Sequence, residues 1–246
     1  MAEWHGPAIL CAVRPHAENG AIARLLTADQ GLIAGYVRGG QSRRLAPVLM
    51  PGNRVATRWY ARTPEQLGHL TLELDRPAAA AALGDPLCAR ALEWATAITA
   101  ASLAEGHAYP LLYEALDGLV VLLCLAPDPR AALGALVRYE LVLLAELGFG
   151  LDLTRCAVTG GGDDLAYVSP KSGRAVNRAA AAPWLDKLLP LPGFLVRRAN
   201  DWPDWAELAQ GLALSGYFIE RELVPNGADA LRETRVRLAS AVAAMG

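Results

Sequence analysis

The segment Tyr36-Val-Arg-Gly-Gly-Gln-Ser-Arg-Arg44 sets three arginines beside two glycines, a glutamine and a serine, with no acid among them. A guanidinium group is a planar fork of N–H donors that matches phosphate oxygens. Glycine lets a backbone turn tightly and come close to a ligand. Arg38, Gln41, Ser42, Arg43 and Arg44 therefore read as a cationic loop for a polyanion. The same residues, taken alone, also fit a solvated basic turn. A second group follows. Arg54, Arg58, Tyr60 and Arg62 all occupy even positions, which share one face of an extended strand. Cationic groups interleaved with an aromatic ring are what a single-stranded nucleic acid requires, charge for its backbone and a π-face for its bases. The plainer alternative is a ring packed at a sheet edge among solvated arginines.

Other constellations point to less. Gly160-Gly-Gly-Asp-Asp164 lacks the lysine of a phosphate-binding loop and reads as a flexible turn. Cys156 has no second cysteine at metal-ligand spacing, and His5, His16, His69 and His107 are dispersed. There is no GxSxG or HExxH. Asp163-Asp164 and Asp201–Asp204 read as turn and helix-cap residues. Arg138 and Glu140 flank Tyr139 on an apolar helix. Arg138 could clamp the carboxylate of a docking peptide, or pair with Glu140.

Period-2 alternation predicts the elements that hold the arginines. Strands are expected around Ile9–Arg14, Ala21–Thr27, Leu32–Val37, Arg54–Arg62 and Leu70–Asp75. Five short strands separated by Gly and Pro turns suit a small closed barrel such as an OB-fold. At Arg76-Pro77 the pattern becomes helical. Helices are expected at Ala78–Ala82, Asp85–Ala104, Leu111–Leu125, Asp128 to Gly148, Asp201–Leu223 and Ala228–Met245. Asp85-Pro86 and Asp128-Pro129 mark two of the starts. An irregular insert, about 152–184, carries one expected strand at Leu165–Ser169. The expected class is α+β: a barrel over 1–77, then a helical domain over 78–246.

The chain has 246 residues and a net charge of −2. That balance hides an asymmetry. Residues 1–64 carry eight arginines (14, 24, 38, 43, 44, 54, 58 and 62) and three acids, a balance of +5, and the remainder stands at −7. A basic part joined to an acidic part points to polyanion binding by one and protein contact by the other. No apolar run approaches the ~18 residues of a membrane span. The N-terminus has no signal-peptide pattern, and the four scattered cysteines form no disulfide framework. A bacterial-type cytoplasmic protein without a membrane partner is expected.

The order of short motifs resembles the RecO family of recombination mediators. The matching residues are Glu18-Asn19, Leu26-Thr-Ala-Asp-Gln-Gly31, Val37-Arg-Gly-Gly-Gln-Ser-Arg43, Leu49-Met-Pro-Gly-Asn53, Leu67-Gly68 and Glu73. Further along come Tyr109-Pro-Leu-Leu-Tyr113, Arg138-Tyr-Glu140, Leu143-Leu144, Leu147-Gly148 and Leu153-Thr-Arg-Cys156. The resemblance implies an N-terminal OB-fold, a helical domain and a zinc-finger-like insert. Here Cys156-Ala-Val-Thr-Gly160 keeps only the first cysteine of that insert and Lys171-Ser-Gly-Arg174 has none, so an insert without metal ligands and without a cofactor is expected. The family's implied role is non-enzymatic. It comprises binding of single- and double-stranded DNA, annealing of complementary strands, and work with RecR to load the RecA recombinase on DNA coated by single-stranded DNA-binding protein. Nucleoid association during repair is implied as well. On this chain the DNA would meet Arg14, Arg24, Arg38, Gln41, Ser42, Arg43, Arg44, Arg54, Arg58, Tyr60 and Arg62. Arg138 would receive the acidic C-terminal tail of the single-stranded DNA-binding protein. Two other readings of the residues stay open: an RNA-binding barrel with a helical oligomerisation domain, and an enzyme whose site uses the Gly-rich insert.

Overall fold

The structure is a computed structural model that describes residues 2–63, 66–196 and 202–246. It comprises two compact units, Met1–Leu125 and Ala126–Gly246.

In the first unit, β1 (Ala2–His16), β2 (Gly20–Thr27), β3 (Gly31–Val37), β4 (Arg54–Ala61) and β5 (Gly68–Arg76) close into a barrel of order β1-β2-β3-β5-β4. Only β3 and β5 run parallel. β1 pairs with β4 over Ala2–Ile9 and with β2 over Ile9–His16, so the sheet is left without an edge. Ala8, Leu10, Ala23, Leu25, Val37, Val55, Leu70 and Leu72 fill the interior. β1 starts well before Ile9. Its first residues do alternate, with Glu3, His5 and Pro7 exposed and Trp4 and Gly6 half-buried, but glycine and proline dilute the apolar signal. The β3–β4 connection is a chain of turns that plugs the barrel with Leu45, Val48 and Leu49. Buried Asn53 fixes it, donating from Nδ2 to the carbonyls of Pro47 (2.8 Å) and Val48 (3.2 Å) and accepting from the Ala79 N–H (3.1 Å).

Strand gives way to helix at Arg76-Pro77, but the compact units part later, between Leu125 and Ala126. The reason is packing. α1 (Ala78–Ala82), α2 (Pro86–Ser102) and α3 (Pro110–Leu125) need an apolar partner, and the barrel's outer side offers Leu26 and Leu32, both fully buried. The Asp85 carboxylate caps α2 by accepting from the N–H groups of Leu87 (2.8 Å) and Cys88 (3.0 Å).

The second unit is built on α4 (Pro129–Glu146), α6 (Trp205–Glu222) and α7 (Asp229–Ala243). Asp204 caps α6 through the Glu207 N–H at 2.7 Å; Asp201, where that helix was expected to open, lies outside the described residues. Between α4 and α6, β6 (Leu165–Val168) is the expected strand. β7 (Ala175–Asn177) and β8 (Leu189–Pro190) join it in the order β7-β6-β8, with the short α5 (Arg178–Ala181) between them in sequence. Strands of two or three residues carry too little alternation to read. Among the described residues no helix is long and apolar enough to cross a membrane.

Glu140 does not pair with Arg138. It is fully buried and meets Arg235 of α7 at 2.6 Å, while the Ser215 hydroxyl of α6 donates to it. Arg235 also donates to the Leu212 carbonyl at 2.7 Å. One carboxylate thus joins three helices. Glu140→Ala would remove the carboxylate that meets the largely buried Arg235 guanidinium and is expected to cost ~3–5 kcal/mol in urea unfolding. Replacing Glu140 and Arg235 together with apolar residues of similar volume should cost much less. Equal losses in the single and double variants would show that the pair is not what binds these helices.

Candidate nucleic-acid interface

Six of the expected arginines stand free. Arg14, Arg38, Arg43, Arg44, Arg58 and Arg62 are exposed, and none is ion-paired to an acid among the described residues. Tyr60 is 52% exposed on the same strand face as Arg58. Arg14 borders a groove of about 820 Å³ that passes over Ile22 and Ala34 towards Trp59 and Leu67.

Loop 38–44 is ordered by its own residues. Gly39 takes φ +68°, and a side chain on Gly40 would strike the Ala21 Cβ at 2.6 Å. The Gln41 amide donates to the carbonyls of Ala17 and Gly20, both at 2.9 Å. The Ser42 carbonyl accepts from the N–H groups of Leu45 and Ala46, both at 3.1 Å. Gln41 and Ser42 thus shape the loop that presents Arg38, Arg43 and Arg44.

Arg24 and Arg54 are placed differently from the other expected contacts. Arg24 pairs with Glu105 at 3.1 Å and donates to the Ala100 carbonyl. Arg54 pairs with Asp75 at 3.0 Å and with Asp117 of α3 at 3.3 Å, and Arg76 shares Asp117 at 3.4 Å. Their charge is already neutralised, and they anchor helices to the barrel. In the other direction, Tyr36, His69 and His16, to which their spacing alone assigned no nucleic-acid contact, lie in a row with Tyr60. Tyr36 and His69 are register partners, as are His69 and Tyr60, and His16 lies beside Tyr36. A signal was present: Arg14/His16, Tyr36/Arg38 and Arg58/Tyr60 each set a guanidinium two residues from a ring.

Arg138 is exposed on α4. Its Nη2 donates to the Phe194 carbonyl at 2.7 Å, and the guanidinium lies 5.3 Å from the centre of the Phe194 ring. These two contacts hold the fork in one orientation.

The insert does not fit zinc. Among the described residues no group of three or more His, Cys, Asp or Glu converges. Thr159 stands three residues after Cys156, where the second cysteine of a metal-binding pair would be. The thiol is instead held by hydrogen bonds. Burial pushes Cys156 up, but the Thr159 hydroxyl and the N–H groups of Asn177, Thr159 and Val158 together outweigh burial and bring it down to about 7. The Asn177 N–H lies 3.3 Å from the sulfur, and the Asn177 amide donates to Thr159 at 3.4 Å. Elemental analysis of the dialysed protein is expected to find far less than one zinc per chain; a stoichiometric amount would contradict this. The sulfur also has a pH signature. A thiol that titrates lower in the folded chain contributes stability that is full above its unfolded value of ~8.5. That stability is lost as pH falls through about 7. The difference in unfolding free energy between the wild type and Cys156→Ala should therefore grow as pH rises from ~6 to ~9, across the range of thiol titration. A constant difference would show that the folded thiol titrates normally.

Comparison with known proteins agrees with this architecture. The family model described as "Recombination protein O N terminal" matches residues 1–75, and "Recombination protein O C terminal" matches residues 90–227. Similar proteins called "DNA repair protein RecO" include that of Granulibacter bethesdensis, 42% identical over 99% of this chain and 96% of the relative. That of Rhodospirillum centenum is 49% identical over 90% of this chain and 87% of the relative. That of Dinoroseobacter shibae is 44% identical over 92% and 91%. Two matching models that together cover most of the chain, with relatives aligned over 90% or more of it, place this chain in the RecO family of DNA repair proteins.

Proposed function

We propose that this chain is a non-enzymatic recombination mediator. It binds single- and double-stranded DNA through the barrel face and the 38–44 loop, and anneals complementary strands. With RecR it helps load recombinase on DNA coated by single-stranded DNA-binding protein. It acts in the bacterial cytoplasm and joins the nucleoid during repair. The observation that carries this reading is the set of six exposed arginines on the barrel that meet no acid among the described residues. Unpaired guanidinium groups displace counterions from phosphates and lower the repulsion between two strands. Since the sequence holds no nucleotide-binding loop, base pairing itself would drive annealing. Arg138, oriented by Phe194, suits the terminal carboxylate of the acidic tail of single-stranded DNA-binding protein.

The purified protein should speed annealing of complementary oligonucleotides without ATP, followed by fluorescence quenching, and the gain should shrink steeply with salt. Arg43→Glu with Arg44→Glu should abolish the gain, weaken binding to any sequence, and reduce the salt slope by ~0.7 per lost single-strand contact. Annealing at the protein-free rate, with DNA bound, would leave a binding module only. Arg138→Ala should weaken tail-peptide binding by ~1.5–3 kcal/mol, the worth of a charge-assisted hydrogen bond, while naked-DNA binding stays nearly intact. Unchanged peptide affinity with reduced DNA affinity would reverse this assignment.

A further inference from the structure

We infer that His16, Tyr36, His69 and Tyr60 form a continuous stacking track for the unpaired bases of single-stranded DNA on the outside of the barrel. This rests on the DNA-binding reading above and adds which part of the ligand the barrel surface holds. The rings come from four strands, β1, β3, β5 and β4. Adjacent ring centres are close: His16–Tyr36 6.1 Å, Tyr36–His69 5.9 Å and His69–Tyr60 5.0 Å. The last pair is stacked at 15°, and Tyr36 stands at 78° and 90° to the two imidazoles.

Gly20 makes the row continuous. It is the register partner of His16, and a Cβ there would lie 2.2 Å from Cε2 of Tyr36. Any side chain would push Tyr36 away from His16. The track is also open. His16, His69 and Tyr60 are exposed and Tyr36 between them is half-buried, whereas rings that served the core alone would be covered. Because side chains alternate along a strand, Arg14 shares the face of His16 and Arg58 that of Tyr60. Arg38 follows Tyr36 at the same spacing just past the end of β3. A strand whose bases follow the rings therefore has guanidinium groups beside its phosphates.

The spacing selects the ligand. Ring centres 5.0–6.1 Å apart exceed the ~3.4 Å rise of a duplex strand, so a strand on this track is drawn out of its helical stack. Paired bases hide their faces inside a duplex and cannot use it. The contact is to π-faces, which every base has, so it tolerates sequence.

The test compares the full-length wild type with the double variant His69→Leu/Tyr60→Leu, both exposed positions, with folding checked by circular dichroism. Fluorescence anisotropy at one salt concentration would measure binding to a thymidine oligonucleotide, an abasic oligonucleotide of equal length, and a duplex. The wild type should bind the thymidine strand ~10-fold or more tightly than the abasic strand, as expected for two or more stacked bases. The variant should lose that preference, while its affinity for the abasic strand and the duplex stays within ~2-fold, because no phosphate contact is removed. A wild type that binds both strands equally, or a variant that weakens on all three ligands alike, overturns the track and leaves DNA binding standing. A wild type that binds none of the three overturns the DNA-binding reading itself.

Discussion

β1 is paired with β4 along its first half and with β2 along its second, and Ile9 takes part in both pairings. Closure through this one strand holds the rest of the barrel surface in place. It buries Ala8 and Leu10 in the interior and fixes every register at once. In an open sheet a one-residue slip would send each exposed ring and arginine inward. In the closed barrel a slip in one pair would have to be matched around the whole circuit. The row Arg14, Ile22, Tyr36, His69, Tyr60, Glu3 is held by that circuit, each residue being the register partner of the next.

The barrel's arginines divide into two uses. Arg24 meets Glu105 and Arg54 meets Asp117, which tie the barrel to the segment around α2 and α3, while Arg54 also meets Asp75 within the barrel. Partly exposed pairs of this kind add little stability singly, but they fix where helices sit. Arg14, Arg38, Arg43, Arg44, Arg58 and Arg62 meet no such acid among the described residues and stand exposed with their charge unpaired. Setting aside Arg24 and Arg54, whose acids lie beyond residue 64, residues 1–64 keep a balance of +3, six exposed arginines against three acids.

The second unit solves two problems with hydrogen bonds. Three helices share a buried carboxylate, Glu140, whose charge is met by Arg235 and by the Ser215 hydroxyl. A buried charge is tolerable only with such partners. The insert gathers N–H and O–H donors around the Cys156 sulfur and packs a small core of Cys156, Val176 and Ala181. Hydrogen bonds and this small core hold the insert together around the sulfur.

Local patterns in the sequence were enough to read the five barrel strands, β6 and the long helices, but not the start of β1, the short β7 and β8, or α5. Alternation from Ile9 to Asp75, the Asp-Pro starts at 85 and 128, and the arginine count before residue 64 are properties of neighbouring residues, so they can be read along the chain. Membership of the RecO family was legible in the same way, through short motifs kept in order. Three matters needed the tertiary structure. Whether an arginine is free or paired depends on acids far along the chain: Asp117 lies 63 residues from Arg54. The grouping of α1–α3 with the barrel depends on Leu26 and Leu32 facing outward yet staying buried. The run of rings depends on the parallel pairing of β3 with β5, which brings His69 beside Tyr36. Pairing between distant strands leaves no periodicity in either of them, so only the closed fold could decide which rings and charges would share a surface.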